Sequence, residues 1–449
     1  MNKRIGIFLG VLLVLVASVP ALAADKAPVA KTLFTNVNLF DGENEKLINN
    51  ANVLVEGNLI KQVSTKAVSA EGATVIDGKG RTLMPGLIDA HYHPMMTALP
   101  LADLITSPDG WINLAAAKNA EKLLLQGFTS VREASGNSFS LKRAIDTGLY
   151  PGPRIYPTGP MISQTSGHAD YRPSTSIPAE PDEPLIYISR NGYAAVADGV
   201  PEVMKRTREA LRMGATQVKL AAGGGVASSY DPIDVAEYTY EELKAAVDVA
   251  ATWNTYVMVH AYTPTAIQTA LKAGVQSIEH GQLMDEETAK MIAEKGAWLS
   301  LQPFLDDEDA IPFPEGSDQK RKFLTMVAGT DTAYRFAKKY KIKTAFGTDV
   351  LFDPKLAAKQ GKQLAKLKRW YTPFEVLKMA THDNAQLLKM CGPRDPYQKG
   401  ELGIVKEGAY ADLILVDGNP LQNLDLIVDT AKKFVLIMKD GKIYKNTVK

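Results

Sequence analysis

The chain has 449 residues, 45% of them hydrophobic and 22% charged, with a formal net charge of +1. A chain of that length and composition can bury a sizeable core, which excludes disorder as the default reading. The even charge balance gives no electrostatic case for nucleic acid or an anionic membrane surface as a partner.

Lys3 and Arg4 precede an apolar stretch from Ile5 to Val19 and the small-residue site Ala21-Leu22-Ala23, the pattern of a secretory signal peptide cleaved after Ala23. The expectation is a periplasmic or secreted protein, soluble once residues 1–23 are removed. The apolar stretch is shorter than the ~20 residues a spanning helix needs. Cys391 is the sole cysteine, so export brings no disulfide framework, and no cysteine near the cleavage site offers a lipid anchor. Cys391 itself is expected to be an inert helix residue.

Residues 24–82 read as short strands at 32–40, 51–55 and 73–77, with Gly42, Gly57, Gly78 and Gly80 between them. Residues 400–449 have the same texture, with strand-rich runs at 411–416 and 433–443. Both ends are therefore expected to pair into one small β domain. From 83 to 399, apolar strand candidates alternate with helical patterns, the signature of repeated βα units. Strands are predicted near 83–90, 129–133, 154–158, 216–220, 256–260, 275–279, 298–301 and 343–346. That series makes the fold class α/β, a (β/α)8 barrel. Thr239-Tyr-Glu-Glu242 is a capping box ahead of Leu243, Ala246, Val247 and Ala250 at helical spacing. A further helix runs from Glu287 to Glu294. Residues 163–200, rich in Pro, Ser and Gly, are too long for an ordinary connection and are expected to form an active-site insertion or lid.

His91 and His93 end the first barrel strand candidate. At positions i and i+2 of a strand their imidazoles share a face and can reach one divalent ion. His260, in Val-Met-Val-His-Ala-Tyr, and His280, in Ile-Glu-His-Gly, end two later candidates, so four of the six histidines fall where a barrel carries its chemistry. A lone histidine would read as a core or surface residue; this placement overturns that reading. Lys219 ends Gln217-Val-Lys-Leu220, where its charge is costly unless removed or paired. Modified by carbon dioxide it becomes a carbamate, an anionic oxygen donor able to bridge two metals. Asp349, in Phe346-Gly-Thr-Asp349, fits the roles of ligand and proton carrier. Gly223-Gly-Gly225 lacks the Gly-Lys-Ser/Thr of a phosphate loop and is expected to be a flexible loop over the mouth. His382, on a helix after the eighth strand, is read as structural or as a support behind the ligands, and not as a ligand. The charged runs 338–341 and 362–369 are read as solvated helix faces without functional weight.

Pro85-Gly-Leu-Ile-Asp-Ala-His-Tyr-His93, Val218-Lys219-Leu, His260, Ile278-Glu-His280-Gly, Gly347-Thr-Asp349 and Gly408-Ala-Tyr-Ala-Asp-Leu-Ile-Leu-Val416 together resemble the amidohydrolase superfamily over essentially the whole mature chain. The resemblance implies a metal-dependent (β/α)8 barrel with a composite β-sandwich from both chain ends. It implies two divalent ions, zinc for preference, bridged by N6-carboxylated Lys219. His91 and His93 would hold the more buried ion, completed by Asp349, and His260 and His280 the more exposed one. Ser166-Gly-His168-Ala-Asp170 and Gly223 to Tyr230 resemble the branch of Xaa-Pro dipeptidases, metallocarboxypeptidases and ochratoxinase-type amidases. In that branch His168 and Tyr230 would contact the substrate carboxylate or the tetrahedral intermediate. The implied reaction is hydrolysis of an amide or peptide bond next to a free carboxylate, in a dipeptide or other small molecule, by a metal-bridging hydroxide. Imidazolonepropionase-like proteins share parts of these motifs, so a mononuclear deaminase or cyclic-amide hydrolase is the alternative. An inactive periplasmic binding protein is a third reading, which the complete ligand set opposes. A homo-oligomer is compatible with the sequence. Loops 95–110, 163–200 and 303–320 are expected to set specificity.

Overall fold

The two chain ends feed one mixed eight-stranded sheet. Its order runs Lys442–Asn446, Phe434–Lys439, Leu413–Val416, Thr82–Pro85, Lys31–Leu39, Ile48–Glu56 and Leu59–Ser64, with Ala73–Asp77 parallel to Lys31–Leu39. Phe34, Val37, Val53, Leu83, Leu415 and Leu436 belong to a core private to this sheet, so the composite β domain has its own hydrophobic centre. The computed structural model describes residues 29–176 and 185–448. The signal segment expected over 1–23, and part of the 163–200 insertion, lie outside the described residues.

The single strand expected over 83–90 is two. Thr82–Pro85 pairs antiparallel with Leu413–Val416, Leu83 facing Leu415, and only Leu87–Tyr92 enters the barrel. The barrel sheet consists of two parallel arcs. One holds Leu87–Tyr92, Phe128–Glu133 and Arg154–Tyr156; the other runs Ala194–Val196, Met161–Ser163, Val218–Ala221, Val257–Ala261, Ser277–His280, Trp298–Leu301 and Lys343–Phe346. The third expected strand stops at Tyr156 because Pro157 and Pro160 remove ladder donors. The chain resumes as Met161–Ser163, so the 163–200 insertion adds Ala194–Val196 to the barrel sheet as well as lining its mouth. The remaining barrel strands lie within two residues of their predicted limits.

Side chains bridge both seams between the arcs. The Asn384 amide donates to Ile88 O at 2.7 Å and Phe346 O at 2.8 Å, and accepts the Phe346 N–H at 3.0 Å. Gln217 Nε2 donates to Tyr156 O at 3.0 Å across the other gap. The capping box at Thr239 and Glu242 starts the helix Tyr240–Thr252, and Asp285 caps Glu286–Lys295. Cys391 is buried, its thiol pushed up to about 12 by burial, which makes it unreactive. Among the described residues no helix is long and apolar enough to cross a membrane.

Arg154 ties the barrel to the terminal sheet. Its guanidinium donates to both Asp412 oxygens at 3.1 and 3.2 Å and to Asp440 Oδ1 at 2.7 Å, and lies 4.1 Å from the Tyr410 ring centroid. Arg154 and Asp412 are both buried. Removing the cation strands a carboxylate away from water, so Arg154→Ala is expected to cost about 3–5 kcal/mol of stability. Chemical denaturation checks this; a loss below about 1 kcal/mol would show that the pair behaves like an exposed one.

Candidate metal centre

The barrel brings seven of the eight predicted site residues to one cavity at the C-terminal ends of its strands: His91, His93, His168, Lys219, His260, His280 and Asp349. Tyr230 is the exception. It is 41% exposed, and its backbone carbonyl accepts a hydrogen bond from Ser166. The reason lies far along the chain: the buried ammonium of Lys322 binds the carbonyls of Ser228 and Asp231 at 2.8 and 3.0 Å, which fixes the backbone of this turn and leaves Tyr230 facing outward. The tyrosine that lines the cavity is Tyr171.

Each imidazole has one nitrogen committed to an acceptor, which determines where its lone pair points. His91 Nδ1 donates to Glu279 Oε2 at 2.7 Å, and His93 Nδ1 to Ser135 O at 3.2 Å. His280 Nδ1 donates to Gln302 Oε1 at 2.7 Å, the Gln302 amide nitrogen being turned to Ser300 O. The three Nε2 atoms are therefore unprotonated in the neutral rings. His93 Nε2 lies 3.0 Å and His91 Nε2 3.4 Å from Asp349 Oδ1, and His91, His280 and Asp349 offer ligand atoms within 4.8 Å of one another. Lone pairs facing a carboxylate repel unless a cation lies among them, so the donor set fits a divalent metal. His260 is turned the other way. Its Nε2 donates to Gly224 O at 3.2 Å, leaving Nδ1 as the ligating atom.

Burial lowers His93, and lowers His260 and His280 well below the usual histidine range, which keeps them neutral as ligation requires. Burial alone would raise Asp349, but the histidine rings packed round it, His91 first, hold it well below the usual carboxylate range, so it stays an anion able to share a cation with them. Lys219 is buried and its side-chain amine makes no hydrogen bond among the described residues; burial pulls that amine down to about 8. A carbamate forms from a neutral amine, so this environment favours the modification as well as needing it.

Backbone strain marks the same residues. His280 and Asp349 adopt φ of +81° and +50°, the left-handed region that non-glycine residues seldom occupy. Asp349 is held there by its N–H donating to His91 O at 2.9 Å. Gly347 allows that approach, because a Cβ on it would lie 2.3 Å from His91 Cβ. Asp89 completes the clamp, its oxygens accepting from the His91 N–H, the Thr348 N–H and the Thr348 hydroxyl at 3.0, 3.1 and 2.6 Å.

A buried ion pair that sequence reasoning missed orients His91. Arg132 donates to both Glu279 oxygens at 2.8 Å, and Glu279 in turn receives the His91 N–H. Burial would raise Glu279, yet Arg132 and His91 hold it far below the usual range. An ionised partner on Nδ1 strengthens Nε2 as a ligand. The available signal was two charges, Arg132 and Glu279, inside apolar strand candidates: a cation and an anion that must find each other to be buried.

His168 stacks on His260 with ring centroids 4.0 Å apart. Its Nδ1 lies 2.8 Å from Ser228 Oγ and 3.3 Å from Asp231 Oδ2, and Asp231 also accepts the Gly225 N–H at 2.6 Å. The glycine cluster expected to be a flexible loop is instead a buried, close-packed turn. A Cβ on Gly225 would sit 2.0 Å from the His168 ring, so glycine here makes room for the imidazole.

Beneath this turn Glu237 accepts the His168 N–H at 2.7 Å and is bonded to Ser163 Oγ at 3.1 Å. Burial, then the neighbouring Asp231, push its carboxyl up from 4.5 to about 8. Between those values the folded state holds a proton that the unfolded state has lost, so its contribution to stability falls as pH rises through that window. Glu237→Gln keeps both hydrogen bonds without the titration. It is expected to match the parent near pH 5 and to exceed it by on the order of 2–4 kcal/mol above pH 8. Parallel melting curves across pH for the two proteins would count against a buried, protonated Glu237.

A model of the amidohydrolase family matches residues 82–449. Ochratoxinase of Aspergillus niger is 31% identical over 91% of this chain and 85% of its own length. A crystal structure of a prolidase complexed with N-methylphosphonate-L-proline superposes with a TM-score of 0.85 at 34% identity, covering 93% of this chain and 100% of that one. A Xaa-Pro dipeptidase with methionine bound in its active site gives a TM-score of 0.80 at 28% identity, over 93% of this chain and 100% of that one.

Proposed function

Since the chain belongs to the amidohydrolase family and is a hydrolase of C–N bonds, we propose that it is an exported enzyme cleaving an amide or peptide bond next to a free carboxylate, as a dipeptidase or carboxypeptidase does. The observation that carries this reading is the convergence of the His91, His93 and His280 lone pairs on Asp349, with the free Lys219 amine in the same cavity. His91, His93 and Asp349 would hold one divalent ion and His260 and His280 a second, zinc for preference, with carboxylated Lys219 between them. When bound, such ions lower the pKa of water and polarise a scissile carbonyl.

The chain's own groups then handle protons and position. Asp349, ionised at neutral pH, takes the proton of the attacking water and passes it to the leaving nitrogen, serving as base and then acid. His168 Nδ1 is engaged by Ser228 and Asp231, so Nε2 is the atom presented to a substrate oxygen. Tyr230 has no part in this scheme in its present position. The relatives that hold a proline phosphonate or methionine support a small substrate bearing a carboxylate. Export to the periplasm or beyond rests on residues 1–23.

The test is the metal content of the mature protein purified with bicarbonate, together with hydrolysis of Xaa-Pro, Xaa-Arg and N-acyl amino acid substrates. Two ions per chain with amide cleavage are expected. One ion and no cleavage would replace this reading with the mononuclear alternative.

A further inference from the structure

The strand that carries His91 and the strand that leads to Asp349 are neighbours in space, yet no ladder joins them among the described residues. Leu87–Tyr92 lies at the edge of the three-stranded arc and Lys343–Phe346 at the edge of the seven-stranded one. Ile88 and Phe346 are fully buried, so the backbone groups facing this seam need partners other than water. Asn384, itself fully buried, supplies them. A side-chain amide offers the donor and acceptor of a peptide group with one more hydrogen. Its nitrogen donates to Ile88 O at 2.7 Å and Phe346 O at 2.8 Å, and its oxygen accepts the Phe346 N–H at 3.0 Å. Turned over, the amide would set its oxygen against two carbonyls, so these partners fix its orientation.

Ile88 stands three residues before His91, and Phe346 three before Asp349. From there the seam closes in steps. Asp89 accepts the Thr348 N–H and hydroxyl at 3.1 and 2.6 Å, and His91 O accepts the Asp349 N–H at 2.9 Å. Asn384 is therefore the first of three rungs in chain order. The separation it imposes is carried up to the ligands, where His91 and His93 Nε2 stand 3.4 and 3.0 Å from Asp349 Oδ1.

Asn384 opens the helix Asn384–Leu388, directly after a π turn over Met379–Asp383. Such single π turns are rare and occur frequently at functional sites. Segments of the composite β domain hold this turn from outside. His382 Nε2 lies 3.4 Å from Glu43 Oε1, and a Cβ on Gly403 would sit 2.4 Å from Thr381 O. The turn is thus braced on one side by the terminal domain, while on the other it presents Asn384 to the barrel seam.

We propose that Asn384 is a positioning residue for the metal centre: its amide sets the spacing between the strand of His91 and His93 and the strand of Asp349, and with it the affinity for the ion those three residues would hold. Asn384 does not line the metal cavity, so it acts through the strands alone. The proposal rests on the metal centre of the reading above, and not on the bond that is cleaved there.

The test is zinc affinity, read by competition with a chromophoric chelator on the purified protein, beside the melting temperature. Asn384→Leu keeps a similar volume and strips both donors from the carbonyls of Ile88 and Phe346. Asn384→Asp, which keeps the shape and the acceptor for the Phe346 N–H, is the second variant in case the first misfolds. Either is expected to bind zinc about 10- to 100-fold more weakly than the parent. Arg154→Ala is the control, since it removes a buried partner at the junction with the terminal sheet. It should melt lower yet bind zinc within about twofold of the parent. Equal zinc affinity in parent and Asn384 variants, or an equal loss in Arg154→Ala, overturns the positioning role, and amide cleavage by the same protein would leave the hydrolase reading standing. A loss of zinc affinity confined to the Asn384 variants, in a protein that cleaves no amide, upholds the positioning role and overturns the hydrolase.

Discussion

Asp349→Asn is expected to fold like the parent and to lose at least about 10³-fold in kcat/KM. The substitution preserves shape, so the N–H to His91 O bond that sets the strained φ at this position survives. What goes is the anion. An amide cannot take a proton at neutral pH, and if its nitrogen turns to His93 Nε2 it fills a ligand lone pair with a hydrogen bond. Turnover, metal content and melting temperature separate the outcomes. Loss of turnover with the fold intact and at least one ion retained supports a proton carrier. Parent-like turnover would remove Asp349 from the mechanism, and unfolding would make it structural.

The strand-end histidines were legible because a barrel gives residue type and position one meaning: imidazoles at the ends of apolar runs face the mouth. The ion pair of Arg132 with Glu279 was not, since it joins two strands far apart in sequence and exists only once the sheet curves round to put them opposite each other. Tyr230 shows the converse. A local motif specified the residue but carried no information on direction, which depends on Lys322 from a distant helix gripping the turn. The first strand was misjudged for a related reason. Apart from Asp89 the residues from 83 to 90 carry no charge or polar side chain to divide them, and only pairing with Leu413–Val416 reveals that the run serves two sheets. Likewise Lys362 and Lys366 look like part of a solvent-facing helix until Glu308 and Asp307 are laid against them.

Lys219→Met separates what this residue does for catalysis from what it costs the fold. Methionine fills a similar volume without the amine, so no carbamate forms, and the variant is expected to bind at most one ion per chain and lose about 10³-fold in turnover. The fold responds in the opposite direction. Burial holds the Lys219 amine near 8 against 10.5 for an ordinary lysine, so below pH 8 the metal-free protein carries a buried charge without a hydrogen bond. That cost is fully present at pH 7 and is relieved as pH rises from about 8 to 10.5, the window in which the unfolded chain binds the extra proton. Metal-free Lys219→Met is therefore expected to be more stable than the parent by on the order of 2–3 kcal/mol at pH 7, with the advantage gone near pH 10.5. Two ions per chain and full turnover in the variant would eliminate the bridging role. A variant that is inactive and also less stable at pH 7 would mean that Lys219 is held by the fold for packing, because only an amine kept for its chemistry costs stability where it sits.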